Sequence, residues 1–242
     1  MCTVSFIHLK DQVFLTSSRD EKVYRKRAVP PAIHHLNGWN LIYPKDAAAG
    51  GTWIALKENG GAAALLNGGF ISHKSNPPYR KSRGILFLEI LSAKYPAWAF
   101  SKIDLTNIEP FTLVHFEGKS LYEFRWDGLQ RYCRQLSTSR PRIWSSATLY
   151  DAVIHKKREQ WFAKFLNGIP NPTQQDILNF HLFGGDGTGR NDLRMERDGV
   201  YATVSIASIL LNADHAVMKY QDLVENTKSE LKMELFEKAV VK

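Results

Sequence analysis

Two short apolar runs at the start of the chain predict a β-hairpin. Residues 3–8 and 12–18 are mostly hydrophobic, and a polar turn at 10–12 separates them. Apolar runs of this length on either side of a turn are typical of paired antiparallel strands. The hairpin would place Cys2 at one end, and the apolar pattern stops at residues 19–21.

A second hairpin is predicted around Asn59-Gly60. Hydrophobic residues at 52–56 and 62–66 flank this dipeptide, and Asn-Gly between two such runs is a strong hairpin signal. The second strand ends at Asn67, and Gly68-Gly69 follow it. Because glycine has no side chain, another group can approach the backbone closely at this point.

The rest of the chain alternates strands with helices. Short turns join three predicted strands, so their pairing is antiparallel; they cover 111–117, 120–126 and 130–136. A long strand is expected at 201–211, with a partner at 216–220. The polar stretch between the two hairpins, 22–49, contains several turn signals and is interpreted as a long connection.

Helices are predicted where apolar residues recur at helical spacing or where capping signals occur. Residues 84–94 fit either a buried strand or a helix, and the spacing of Ile85, Leu88 and Leu91 favours the helix. The other predicted helices run from Tyr150 to Gly168, from the cap Asn171-Pro172 to Gly184, and from the capping box at Thr227 through the stripe Leu231, Leu235 and Ala239.

These elements predict an α+β fold in which mostly antiparallel sheets are layered with helices. The chain has 242 residues, of which 44% are hydrophobic. No shift in composition and no proline-rich linker divides it. We therefore expect one domain over residues 1–242.

Charge and hydropathy exclude several classes of protein. The net charge is +8, but the basic residues are scattered among acids without a nucleic-acid-binding module, so we expect a solvated surface and no nucleic-acid partner. No apolar run approaches the ~20 residues that span a bilayer. The N-terminus also lacks a basic segment followed by an apolar one, so we expect no signal peptide and a cytoplasmic location.

Neither cysteines nor histidines form a recognisable metal motif. The two cysteines, Cys2 and Cys133, give no disulfide framework and no CxxC pattern, and Cys133 is interpreted as structural. The eight histidines include no HExxH arrangement, so no metal site is predicted. The glycine-rich segment 184–192 lacks the ending of a phosphate-binding loop and is interpreted as a mobile loop near the functional site.

Cys2 has a chemistry that depends on removal of Met1, which a small second residue permits. The chain would then begin with a thiol and a free α-amine on one residue. Their ordinary pKa values, ~8.5 and ~7.7–8.0, lie near neutrality, and N-terminal nucleophiles activated by their own amine catalyse acyl transfer. The alternative is that Cys2 is a small buried hydrophobic residue that opens a strand.

Three further residues would complete an acyl-transfer site around Cys2. Asp20 can accept a hydrogen bond from the α-amine, and Arg19 would favour the thiolate. Asn67 can donate its amide to a tetrahedral oxyanion. Taken singly, Arg19-Asp20 also fits a surface cluster at the end of a strand, and Asn67 an ordinary turn.

A family resemblance links these residues. The chain carries Cys2, then Ser18-Arg19-Asp20-Glu21, Gly50-Gly51-Thr52-Trp53 and Ala64-Leu65-Leu66-Asn67. This pattern resembles the NRDE family, which is the transport and Golgi organisation protein 2 family. More distantly, it is similar to the N-terminal-nucleophile (Ntn) hydrolases of the bile-salt hydrolase and penicillin V acylase type.

The resemblance implies a four-layer αββα sandwich and specific roles. Cys2 would be the nucleophile, Arg19 and Asp20 its supporting pair, and Asn67 an oxyanion or substrate contact. The predicted substrate contacts are Ser18, Gly68 and Ser146.

The chain departs from the relatives at three positions. Ser18 replaces the asparagine of the NRDE motif, and Ser146 stands where acylases place a second asparagine. Val204 occupies the position of a frequent arginine, so a second active-site cation is expected from Arg194 or Arg197.

Three functions follow as expectations. The first is a cysteine amidohydrolase without a cofactor, which would cleave a non-peptide carbon–nitrogen bond of a small molecule through a thioester on Cys2. The alternative is a carrier on the same fold that holds a ligand without turnover, with haem as the ligand implied by the family's link to haem trafficking. A third function, in lipid handling or secretory organisation, rests on the family name. The oligomeric state stays open.

Overall fold

Fourteen strands form the centre of the computed structural model, which describes residues 2–236. The strands of the first half are β1 Cys2–Leu9, β2 Gln12–Lys22, β3 Val29–Leu36, β4 Trp39–Lys45, β5 Ile54–Lys57, β6 Ala62–Asn67 and β7 Phe111–Glu117. Those of the second half are β8 Ser120–Trp126, β9 Arg131–Leu136, β10 Arg142–Ser145, β11 Glu196–Arg197, β12 Tyr201–Leu211, β13 His215–Asp222 and β14 Thr227–Glu234. Four helices accompany them, namely α1 Arg83–Leu91, α2 Pro96–Lys102, α3 Ala152–Gly168 and α4 Gln174–Phe183.

The strands form two antiparallel sheets that stack face to face. The first sheet has the order β10-β1-β2-β12-β13-β14, with β11 paired to β12. The second sheet runs from β3 to β9 in chain order. A hydrophobic core that includes Val4, Leu56 and Ile209 fills the space between them.

Helices cover the outer face of each sheet. Phe162 of α3 and Ile177 of α4 pack against Phe14 on the first sheet. Phe87 of α1 and Phe100 of α2 pack against the second sheet. The predicted αββα sandwich is therefore confirmed. Among residues 2–236, no helix has the length and apolar character needed to cross a membrane.

Alternation along β1 and β2 separates two environments. Successive side chains of a strand point to opposite faces of its sheet. Val4 lies in the core between the sheets, whereas Ile7 packs under the helices. Because Cys2 pairs with Arg19 across the two strands, both side chains face the space between the sheets.

Most of the predicted elements form, but two predictions are wrong. The stretch 22–49 is not an extended connection, because β3 and β4 pair in a hairpin that turns at Asn37-Gly38, where both residues have positive φ. The segment from Thr227 is β14 and not a helix, because it pairs with β13 along its whole length. Ala239, the last residue of the predicted stripe, lies outside the described residues.

Three local predictions also need correction. β2 continues through Arg19, Asp20 and Glu21 to Lys22, because β12 pairs with it there. Helix α4 is capped by Thr173, whose side chain accepts a hydrogen bond from the Asp176 amide, and not by Asn171. Cys133 lies exposed on β9 and is not a core residue.

Gly51 and Gly84 form a close backbone contact at the start of α1. A Cβ on Gly51 would overlap the backbone of Gly84 and Ile85, and one on Gly84 would come within 2.8 Å of the Thr52 carbonyl oxygen. We expect Gly51→Ala to lower the free energy of unfolding by about 1–3 kcal/mol, because overpacking forces the backbone to shift. Chemical denaturation measures this.

Gly168→Ala is the matched control for that substitution. A Cβ at the last residue of α3 would meet open space, and alanine is favoured over glycine in helices. This variant should be as stable as the wild type or slightly more stable. Equal destabilisation by the two substitutions would contradict the proposed steric contact.

Candidate functional site

A polar cavity of about 470 Å³ opens at one end of the sandwich. Its lining includes Cys2, Arg19 and Asn67, so the fold brings together three of the four predicted catalytic residues. We call it the cysteine cavity. Further charged residues line it, namely Glu21, Lys22, Arg25, Asp46, Arg83 and Glu109.

The Cys2 thiol is buried in a neutral form. Cys2 is 2% exposed, and burial raises the pKa of its thiol. The charge of Asp20 raises that pKa further, and Arg19 opposes this shift. A thiol with a raised pKa needs a base before it can act as a nucleophile.

Arg19 is fixed from two sides. Its guanidinium donates to Asp46 at 2.6 Å and lies over the Trp53 ring at 4.4 Å from the centroid. Asp46 also accepts from Arg25 at 3.1 Å and from the backbone amides of its own turn. The predicted cation beside Cys2 is therefore held in one orientation, and part of its charge is balanced by Asp46.

Asp20 lies on the opposite face of β2, outside the lining of the cysteine cavity. Its carboxylate accepts from the Tyr150 hydroxyl and from the Thr203 hydroxyl, each at 2.7 Å. Burial raises its pKa, although the Arg158 charge opposes the shift. Because β1 and β2 are antiparallel and Cys2 pairs with Arg19, Asp20 is the next residue of β2 beside the N-terminal end of β1.

The second cation near this group is Arg158 of α3. It is fully buried, donates to the Thr3 hydroxyl and lies over the Tyr150 ring at 3.7 Å. Of the two arginines expected in this role, Arg194 is exposed. Arg197 donates to the Leu149 carbonyl and also lies over the Tyr150 ring, at 4.9 Å from the centroid.

Asn67 stands at the end of β6 and leaves its side-chain amide available. Its backbone carbonyl accepts from the Ser146 hydroxyl at 2.9 Å, and within residues 2–236 no hydrogen bond of its side chain is found. Gly68 has a φ of 86°, and a Cβ there would lie 3.1 Å from side-chain carbons of Ala147 and Thr148. This close approach confirms the interpretation of the glycine pair.

Two predicted substrate contacts, Ser146 and Gly68, do not line the cysteine cavity. Ser146 is fully buried, and its hydroxyl donates to the Asn67 backbone carbonyl and forms a hydrogen bond with the Thr148 hydroxyl. Gly68 is buried against the same loop. Both therefore support the wall that carries Asn67, and Thr148 is the neighbouring residue that faces the cavity.

Ser18 is also placed away from the cavity, because it lies on the helix side of β2. Its hydroxyl bonds to Nδ1 of His181 at 2.8 Å, and Nε2 of the same ring bonds to the Ser5 hydroxyl at 2.8 Å. Burial lowers the pKa of His181 to about 3, with a smaller effect of the Arg158 charge. The imidazole is thus a neutral bridge that fixes β1 to β2 from behind.

A second set of charged side chains also lines the cavity. Arg83 donates to Glu109 at 2.8 Å, and Nε2 of His73 lies 3.2 Å from the same carboxylate. Nδ1 of His73 is buried without a hydrogen-bond partner in the described part of the chain. Burial lowers the pKa of Arg83.

The remaining candidates do not contribute to the cavity. No group of three or more His, Cys, Asp or Glu residues between positions 2 and 236 is arranged to hold a metal ion. The segment 184–192 lies behind the sheet, where the carbonyls of Asn191 and Asp192 accept from Arg158. It does not line the cysteine cavity.

Sequence reasoning missed Asp46, Arg158 and His181. Asp46 follows Pro44-Lys45 in a stretch interpreted as loop, and its approach to Arg19 depends on the β3–β4 hairpin. Arg158 and His181 each stand on an amphipathic helix beside exposed polar residues. The sequence does contain one indication that they are buried. Arg158 is four residues after Ile154 and His181 four after Ile177, so each lies on the apolar face of its helix.

Solved structures of amide hydrolases share this fold. An N-acylethanolamine-hydrolysing acid amidase orthologue of Caenorhabditis elegans aligns with a TM-score of 0.60 and 12% identity, covering 86% of this chain and 92% of that one. A variant of the conjugated bile acid hydrolase of Clostridium perfringens gives 0.55 and 9%, covering 96% and 92%. A second variant of that hydrolase gives 0.53 and 8%, covering 99% and 100%. The fold is that of the Ntn hydrolases.

Sequence comparison gives the family. No curated protein shows significant sequence similarity to the chain. The family model described as Transport and Golgi organisation 2 matches residues 1–145, a segment that carries Cys2, Arg19, Asp20 and Asn67. The chain therefore belongs to the Transport and Golgi organisation 2 family.

Proposed function

We propose that this protein is a cysteine amidohydrolase that uses Cys2, after removal of Met1, to cleave a non-peptide carbon–nitrogen bond. The observation that carries the proposal is the placement of Cys2 and Arg19 in one cavity, with Asp20 adjacent to Arg19 at the strand end where the chain enters β1. The amide-hydrolysing relatives of the same fold support it.

In the first step, the thiol gives its proton to the α-amine of Cys2 and the sulfur attacks the substrate carbonyl carbon. Because burial holds the pKa of the thiol high, the base must be close to the sulfur. The α-amine meets this need, and Asp20 orients it by accepting a hydrogen bond. Tyr150 and Thr203 fix the Asp20 carboxylate in turn.

In the second step, the tetrahedral oxyanion collapses and the carbon–nitrogen bond breaks. The side-chain amide of Asn67 donates to the oxyanion, and the protonated α-amine gives its proton to the leaving nitrogen. A thioester on Cys2 remains. The α-amine then takes a proton from water, whose oxygen attacks the thioester and releases the acid and the thiol.

The charges of the cavity favour a polar small-molecule substrate. Arg19 and Arg83 each have a carboxylate partner, so they present a charged but nearly balanced wall. A panel of N-acylethanolamines and conjugated bile acids, the substrates named for the two relatives, is the first test. Product release from any member of the panel, measured by mass spectrometry, supports the proposal. If the protein turns over neither the panel nor any simple amide, the proposal is contradicted.

Cys2 should be the N-terminal residue of the purified protein and should react with a small electrophile. Intact mass should show the loss of Met1 and one label per chain with iodoacetamide at limiting dose. In a Cys133→Ala background, which removes the exposed second thiol, the label should stay at one per chain, and adding Cys2→Ala should remove it. A protein that retains Met1 would exclude the α-amine as the base.

We propose a carrier without turnover as the second candidate, favoured by the buried and neutral Cys2 thiol. Haem would require apolar walls along both faces of its macrocycle. The cysteine cavity has Trp53 and Leu65 among mostly charged and polar side chains and fits that group poorly. A haem titration should therefore give no Soret shift that depends on Cys2 or His73.

We also propose that the protein works in the cytosol. Cys2 and Cys133 are both free, and free thiols persist in reducing compartments. A fluorescent protein fused to the C-terminus leaves Cys2 unblocked. Cell fractionation should then recover this fusion in the cytosolic fraction.

A further inference from the structure

A second cavity of about 490 Å³ lies between the edge strand β10, helix α3 and the second sheet. Its volume falls within the range typical of small-molecule sites, ~300–1,000 Å³. Much of its lining is apolar, including Leu66, Phe70, Ile143, Trp144, Phe162 and Leu166. The proposed hydrolysis does not use this cavity, since Cys2, Arg19 and Asn67 do not line it.

Three polar side chains from three different elements line it with nitrogen atoms that have no hydrogen-bond partner. The Nε atoms of Arg125 and Arg142 and the Nε2 atom of His155 are buried and have no hydrogen-bond partner among the described residues. Buried polar groups are normally hydrogen-bonded, so each exception needs an explanation. The two guanidinium nitrogens can only donate, so together they point to a ligand that supplies acceptors.

The two arginines differ in their existing partners. Arg125 already donates to Glu123 at 2.9 Å and to the Gly69 carbonyl at 2.7 Å, and its guanidinium lies over the Phe70 ring at 4.8 Å. Arg142 has no ion-pair partner within residues 2–236. The positive charge left for a ligand is therefore that of Arg142.

We propose that the second cavity binds an amphipathic monoanion, with its carboxylate or sulfonate at Arg142 and its apolar body against Leu66, Phe162 and Leu166. A guanidinium and a carboxylate form short, charge-assisted hydrogen bonds. The exposed carboxylate of Glu159 also lines the cavity and disfavours ligands with several negative charges, such as nucleotides.

The second cavity and the cysteine cavity share a wall. Leu66, Gly69 and Ala147 line the second cavity, whereas Asn67 and Thr148 line the cysteine cavity. The Ser146 hydroxyl joins the two segments through the Asn67 carbonyl. The anion site is thus adjacent to Cys2 but separate from it, and its occupancy does not require turnover.

Isothermal titration with decanoate, below its micellar concentration, tests the site, and decanol is the neutral counterpart. Decanoate should bind the wild type more tightly than decanol does. Arg142→Gln should weaken decanoate binding by about tenfold or more, the loss of one charge-assisted contact. Arg140→Gln is the matched control, because Arg140 is exposed on the same segment and does not line the cavity.

Two further variants locate the ligand. Ala163→Trp should abolish binding without unfolding the protein, because Ala163 lines the cavity from the exposed side of α3; thermal melting checks the fold. Cys2→Ala should leave binding unchanged. Equal binding of decanol and decanoate, equal effects of Arg142→Gln and Arg140→Gln, or loss of binding in Cys2→Ala would each overturn the proposal, as would a wild type that does not bind decanoate.

Discussion

Replacing Cys2 by alanine should reduce amide hydrolysis by a factor on the order of 10⁴ or more, because removal of a catalytic nucleophile leaves only binding and oxyanion stabilisation. The measurement is kcat for the best amide of the panel. The fold should survive, since the substitution removes one sulfur atom at the start of β1, where the Ser146 amide still donates to the Cys2 carbonyl at 2.9 Å.

Cys133→Ala is the control for this experiment, because Cys133 is exposed on β9 and lies outside the cysteine cavity. Its activity should equal that of the wild type. Hydrolysis that persists in Cys2→Ala would exclude Cys2 as the nucleophile. If Cys2→Ala still binds a substrate analogue but does not turn it over, the loss of rate comes from chemistry and not from binding.

The sequence alone predicts those elements correctly whose signals lie within a short segment of the chain. The Asn59-Gly60 turn and its flanking apolar runs predicted the β5–β6 hairpin, and this hairpin delivers Asn67 to the cavity. The hairpin of β1 and β2 likewise placed Cys2 beside Arg19. In both cases, residues close in sequence determine the geometry.

The errors occur where tertiary pairing outweighs a local signal. Thr227 and Glu230 match a capping box, but β13 offers a full edge of unpaired backbone groups, and β14 satisfies them. Strand alternation also sends Ser18 and Asp20 to the helix side of β2, which removes Ser18 from the cavity but is compatible with the proposed role of Asp20. Their partners there, His181 and Tyr150, are more than 100 residues away in the sequence, and no local pattern identifies them.

The free energy of unfolding should fall steeply as the pH is lowered from about 6.5, because two buried histidines resist protonation. Burial lowers the pKa of both His181 and His115 to about 3, whereas the unfolded chain has histidine pKa values of about 6.5. Between these values the unfolded chain binds more protons, so acid favours it. Each histidine should contribute a loss of about 1.4 kcal/mol per pH unit.

His181→Gln isolates the contribution of one ring, because a neutral amide can still bond to Ser5 or Ser18 but cannot take up a proton in this range. Asp20 has the opposite effect on the pH dependence of stability, since its raised pKa makes the folded protein bind a proton more readily. Because wild type and variant share Asp20, the difference between their slopes does not contain this contribution. Urea titrations at pH 6, 5 and 4 should show a slope smaller by about one proton for His181→Gln. Asn179→Gln, an exposed substitution on the same helix α4 that changes no ionisable group, should leave the slope unchanged. An unchanged slope in His181→Gln would mean that His181 is not held neutral between Ser5 and Ser18.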